Sequence, residues 1–430
     1  MNLLTIRLLC IALVLSFPSY AQNETPIDIK YKRSSLYTFM VANDSIEHAD
    51  VIKTTFESLK IPEKFNDHIV SLRVIPKLDS LEIEKEEVLE ANEKKKSLLS
   101  KVGVKKKEER DQLEAQISAQ LTNNDIAKAM IAKWFNRSEK GGFNMTLISE
   151  RGFYNASDLD IKVARSNERG LSMLADAGEE LIKNTFVIVN NYKYTSKEEV
   201  AKKTSGVLNS ISSIASKAGN NSLAIAANAT SKGVEFVGKG YIVKSTAYLY
   251  KLVWNDEVAS IFYNDFWTDD ENLDLDRKKA FDETDIFKLD LVGIETSWAD
   301  VQSTSMSNKG NDELIALATI RATDNVIAKL QRKYEVFRTK TPLLSGDPLS
   351  AKIGLKEGLE KGDKYEVLEQ VINKEGLTEY KRVGVIKVDK SHIWDNRYLA
   401  DEENNTEFEY TTFSGPTNKY FSGMLIRQIN

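Results

Sequence analysis

In the stretch "NLDLDRKKAFDE", Asn272, Asp274, Asp276 and Glu283 fall at positions 1, 3, 5 and 12 of a calcium-binding loop. Hard cations take carboxylate and amide oxygens gathered at such spacings, so calcium is the one cofactor this pattern admits. Position 6 is Arg277, where a calcium loop uses glycine for its sharp turn, so the competing reading is an acidic surface loop. A second constellation, "SERGFYNASDLD", places Arg151, Tyr154 and Asp158 at the end of an expected strand. Arg151 would contact an anionic partner there and Tyr154 would stack on it. The plainer alternative is a capped turn with Ser157 or Asp158 as the N-cap.

Other chemistries find little support in the residues. His48, His68 and His392 are widely separated and make no HExxH or H-x-H arrangement for zinc. "GVEFVGKG" carries Gly233, Gly238 and Lys239 at P-loop spacing, but Gly240 stands where Ser or Thr must hold magnesium. An alanine- and serine-rich run precedes it and a strand pattern follows, the reverse of the order a P-loop requires, so it reads as a turn entering a strand. Carboxylates abundant enough for a glycosidase-like pair are present, yet such a pair is defined by separation in space.

Positioning begins with export. "MNLLTIRLLCIALVLSFPSYAQ" has Arg7, an apolar run, and Ser19 and Ala21 at the cleavage positions, so residues 1–21 read as a signal peptide and the mature chain starts at Gln22. Cys10, the single cysteine, lies inside that signal, which leaves no thiol nucleophile, disulfide or thiolate metal site afterwards. The 59 Lys and Arg against 64 Asp and Glu are intermixed, so nucleic acid is set aside as a partner.

The expected fold is α+β: a helical hairpin arm, a central mixed α/β domain and a C-terminal small β-barrel. Residues 22–78 form an N-terminal β-rich segment with strands over "SSLYTFMV" and "HIVSLRVIPKL". Residues 79–122, rich in Glu, Lys, Leu and Gln, form a charged helical hairpin or coiled coil, with Gly103 as the joint. The central domain, 123–338, contains helices over "DIAKAMIAKWF", "ERGLSMLADAGEELIKN" and "NDELIALATIRATDNVIAKLQRKYEVF", the last starting near an Asn/Asp cap. "GGFNMTLISERGFY" reads as a strand and turn, and "TFVIVNNYKY" and "FKLDLVGIETSW" as strands. "GYIVKSTAYLYKLVW" and "EVASIFYNDFW" read as a long hairpin turning at Asn255 and Asp256. Residues 204–232, rich in small side chains, admit an α-hairpin, a membrane β-hairpin or a loop. "TKTPLLSGDP" marks a boundary before the C-terminal β domain, 339–430, which carries a hairpin over "NKEG" and a closing strand in "KYFSGMLIRQI".

Two stretches carry a resemblance. "IGLKEGLEKGDKYEVLE", followed by "RVGVIKV", resembles the small β-barrel at the end of flagellar T-ring-type assembly proteins. "MLADAGEELIKNTFVIVNN", followed by a hydrophobic hairpin, is similar in layout to the periplasmic domain of the curli secretion lipoprotein family. The resemblance implies an envelope assembly or scaffold role in a bacterium. The expected function is therefore an exported, non-catalytic cell-envelope scaffold in the periplasm or at the outer membrane, with envelope proteins or a second copy as partners. The alternatives are a peripheral membrane ring or pore component and a secreted carboxylate-based hydrolase.

Overall fold

The computed structural model describes residues 34–42, 48–62, 65–67, 72–75, 98–149, 181–196, 240–302, 309–372, 378–389, 392–400 and 409–429. The chain is mixed α+β, and its described residues are built on two sheets. The first has the order β2-β1-β4-β5-β6, from Asn66–Asp67, Ser35–Val41, Thr185–Ser196, Gly240–Leu252 and Leu289–Gln302, with β3, Val74–Ile75, also on β1. Strand β1 runs parallel to β4, and β4, β5 and β6 are antiparallel. The N-terminal β-rich segment thus contributes strands to the same sheet as the central region. It also contains a helix, α1 (Ala49–Ser58), that buries Ile52, Thr55 and Phe56.

Alternation along the strands divides the apolar residues between two faces. On β4, Val187 and Val189 point one way, and Phe186, Ile188 and Tyr192 the other; on β5, Tyr248, Tyr250 and Leu252 oppose Val243, Ala247 and Leu249. The first face is covered by α2 (Leu98–Asn123), α3 (Ile126–Trp134) and an insertion between β5 and β6. That insertion comprises α4 (Asp256–Ile261), a π-helical turn (Phe262–Phe266) and α5 (Leu275–Glu283). The second face carries α1 and a long helix, α6 (Asn311–Lys333).

The structure departs from several of the elements expected from sequence. The hairpin partner of β5 is β6, and "EVASIFYNDFW" is helical. Asn255 Oδ1 accepts from the Val258 N–H at 2.9 Å as an N-cap, and Val258, Phe262 and Phe266 recur every fourth residue on the core side, a helical period. "GGFNMTLISERGFY" is likewise no strand at its start: Thr146–Ser149 is helical, and the Asn144 side chain accepts from the Thr146 N–H. Helix α2 continues through Gly103, so the chain makes no joint there; one glycine costs about 1 kcal/mol and does not stop a helix of strong formers. Helix α6 begins after Gly310, whose N–H donates to the Glu313 carboxylate, so the cap is a glycine and not Asn or Asp. Residues 79–97, 197–239 and the upstream part of "ERGLSMLADAGEELIKN" lie outside the described residues.

The second sheet runs β7-β13-β10-β11-β12-β9-β8, from Thr341–Pro342, Leu425–Ile429, Lys364–Ile372, Thr378–Val388, Thr411–Ser414, Leu349–Ala351 and Ser345–Gly346. Strands β10 and β11 form the expected hairpin arms, and "KYFSGMLIRQI" does return as a strand, beside β10. "TKTPLLSGDP", expected as a boundary, supplies the strands at both ends of this sheet. Because β7 and β8 are joined through Leu343 and Leu344 alone, the sheet must curl, as a half-barrel, around Leu343, Leu349, Val367, Ile386 and Ile426.

Candidate functional site

The proposed calcium ligands are distributed over a capped helix. Asp274 is the N-cap of α5, its side chain accepting from the N–H groups of Asp276 and Arg277 at 2.9 and 3.1 Å. Asp276 sits in the first turn and Glu283 at the end, paired with Lys279 at 3.8 Å. At about 1.5 Å of rise per residue, Asp276 and Glu283 lie about 10 Å apart along the axis, too far to share one ion. Asn272 instead closes a turn on Asp269. No group of three potential ligands gathers among the described residues. Arg151, Tyr154 and Asp158 lie outside them.

Of the histidines, His68 lies outside the described residues and His392 is exposed. His48 precedes α1 with a left-handed backbone, φ 61, and contacts the rings of Tyr194 and Tyr241 edge-on. Its Nδ1 stands 3.4 Å from an oxygen of Asp312, in the first turn of α6. That carboxylate is 71% exposed, so the contact is a weak tie between two helix starts rather than a buried dyad.

Charge and polarity converge most densely where α6 meets the second sheet. The end of α6 and the short turn after it read "AKLQRKYEVFR", and the Arg332 guanidinium faces the neighbouring sheet's turns. Arg332 grips Asp363 with both terminal nitrogens, at 3.2 and 2.9 Å, and also donates to the Gly358 carbonyl. Such a planar fork fixes orientation as well as distance. Gly358 has φ 71 and lies against Ala328, where a Cβ would come within 3.1 Å. Asp363 accepts further from Gln428 Nε2 and from the Glu360 N–H. Arg338 donates to the carbonyls of Gln331, Arg332 and Gln428, and Arg321 to that of Tyr398. Arg427 reaches Glu366 at 2.6 Å, with Glu335 at 3.7 Å on the other side.

This joint borders a half-open pocket of about 30 Å³ lined by polar groups including Gln331, Arg338, Glu357, Tyr365 and Gln428. Burial pushes the Tyr365 phenol well above its usual range. Glu357 is committed to the Gly354 N–H and to Asn396 Nδ2, at 2.8 and 2.7 Å. The volume holds about two waters and is about a tenth of the smallest ordinary ligand pocket. Arg397 secures Asp395 nearby: burial opposes the charged form, but the guanidinium's hydrogen bonds outweigh it and hold that carboxyl below the usual range.

Sequence reasoning missed this joint. Its residues are spread from Arg321 to Gln428, and the available signal was the basic end of α6 opposite "EKGDKYE". Fold and joint together describe an α+β chain whose two sheets are tied across one long helix. No family model matches the chain, and no curated protein matches it.

Proposed function

We propose that this chain is an exported, non-catalytic scaffold or assembly factor of the cell envelope, its partners being envelope proteins. The observation that carries this reading is the joint: Arg332 ties the end of α6 to Asp363 and Gly358, Arg321 donates to Tyr398, Arg338 bridges the carbonyls of Arg332 and Gln428, and Arg427 pairs with Glu366 on the adjacent strand of its own sheet. Such side chains could serve chemistry; here they serve shape. The signal-like residues 1–21 supply the export part of the proposal, with the charged residues 79–97 as a docking arm and residues 339–430 as a small-barrel module. Leu275 and Phe421, 69% and 61% exposed on well-separated parts of the chain, are accessible positions for probing partner contacts.

The test is photo-crosslinking in intact cells with a reactive residue at Leu275 or Phe421. Discrete adducts with envelope proteins support the scaffold. Hydrolysis of a polysaccharide or peptide by the purified chain, abolished by one carboxylate substitution, would overturn it in favour of a secreted hydrolase.

One observation favours a second reading, a membrane-associated ring or pore component. Strands β4 and β5 stay paired up to Ser196 and Tyr241, so residues 197–239 leave and return on adjacent antiparallel strands. A membrane hairpin within 204–232 would extend that pairing. Flotation with liposomes that is lost on removing 204–232 would support it; no flotation would remove it.

A further inference from the structure

Among the described residues, β6 is an outermost strand of its sheet and pairs with β5 alone over Leu289–Gln302. In an antiparallel pair, alternate residues turn both N–H and C=O away from the neighbour. A long edge of this kind is a template for another chain.

Two carbonyls of β6, two residues apart, are occupied by side chains of α6. Lys329 Nζ donates to Thr296 O at 2.9 Å, and Asn325 Nδ2 to Trp298 O at 3.2 Å. Their spacing of two marks them as the outward set. Lys333, one turn further along α6, binds Glu295, which Lys329 also approaches at 3.5 Å. Tyr334 then closes over Gly293, where a Cβ would come within 2.1 Å of the ring. Asn325, Lys329 and Lys333 recur every fourth residue, so they form one stripe of α6 laid along the strand.

We infer that this stripe guards the β6 edge, and that the partner it excludes is the β6 strand of a second copy of this chain. A two-fold pair sets the same edge of both copies against itself, so the outward carbonyls of each would be needed by the other. With Lys329 and Asn325 in place those carbonyls are taken, and the pair would also bring like ammonium groups together. This inference is independent of the proposed function.

The test is the double variant Asn325→Ala, Lys329→Ala, compared with the natural chain by sedimentation over a hundredfold concentration range. Lys329 is 43% exposed, so its truncation opens no core cavity. The guard predicts additional, concentration-dependent association of the double variant. Thr296→Pro in the same background should reverse it, because proline there removes one outward N–H. Lys329→Met, which keeps the apolar stem, provides the same readout should the double variant fail to fold. An unchanged sedimentation profile, or association that Thr296→Pro leaves intact, would overturn the inference and reduce the stripe to a helix–sheet tether.

Discussion

Asp274 caps α5 through two backbone N–H groups, so its replacement by alanine should cost about 1 kcal/mol in denaturant unfolding. Millimolar calcium should leave the melting temperature of the natural chain unchanged, since Asp276 and Glu283 stand at opposite ends of the helix. A rise in melting temperature that Asp276→Asn abolishes would contradict that placement. Asp282, on the same helix, has a testable titration. Burial opposes its charge, but hydrogen bonds from Lys278 and Arg137 prevail and lower its pKa. A lowered folded pKa stabilises the protein above the unfolded value of about 3.9, and the gain is lost as pH falls through the folded value. The natural chain should therefore exceed Asp282→Asn in urea midpoint at pH 6, with the gap closing in acid below about pH 4. A gap independent of pH would indicate packing instead. At this scale the sequence was readable by type but ambiguous by role, because Asp at alternate positions suits an N-cap as well as a cation.

The insertion between β5 and β6 shows where the reading of elements succeeded and where it failed. Phe262, fully buried, stacks on Phe135 at 4.3 Å and meets Phe143 and Trp254 edge-on. Phe262→Ala should cost about 3–5 kcal/mol, read as a shift in denaturation midpoint. A loss under about 1 kcal/mol would mean that the insertion is peripheral to the core. Long elements with clear periods, such as β4, β6 and α6, were legible because burial on one or both faces imposes their pattern. The segment 256–266 was not, since its aromatic and β-branched residues favour strands by type and only the cap at Asn255 and the four-residue recurrence favour a helix. Gly103 misled for a related reason: a glycine weakens a helix without ending it.

Over the whole molecule, the least legible feature was how distant segments meet. Nothing local to β1 tells that it lies parallel to β4, or that Thr341–Gly346 supplies both ends of the curled sheet. The Arg332 and Asp363 pair belongs to the same class, since it depends on α6 reaching the turn before β10. Arg332→Ala leaves a half-buried carbonyl and carboxylate less well bonded and should cost about 1–2 kcal/mol. If the two sheets are one cooperative body, that loss moves a single calorimetric transition; splitting into two transitions would show that the joint alone couples them.

The proposed exported envelope scaffold is tested most directly by fractionation of cells producing the natural chain, with the N-terminus of the extracted protein read by mass spectrometry. Export predicts a chain beginning at Gln22 in the periplasmic or outer-membrane fraction. A chain retaining residues 1–21 in the cytoplasmic fraction would contradict it.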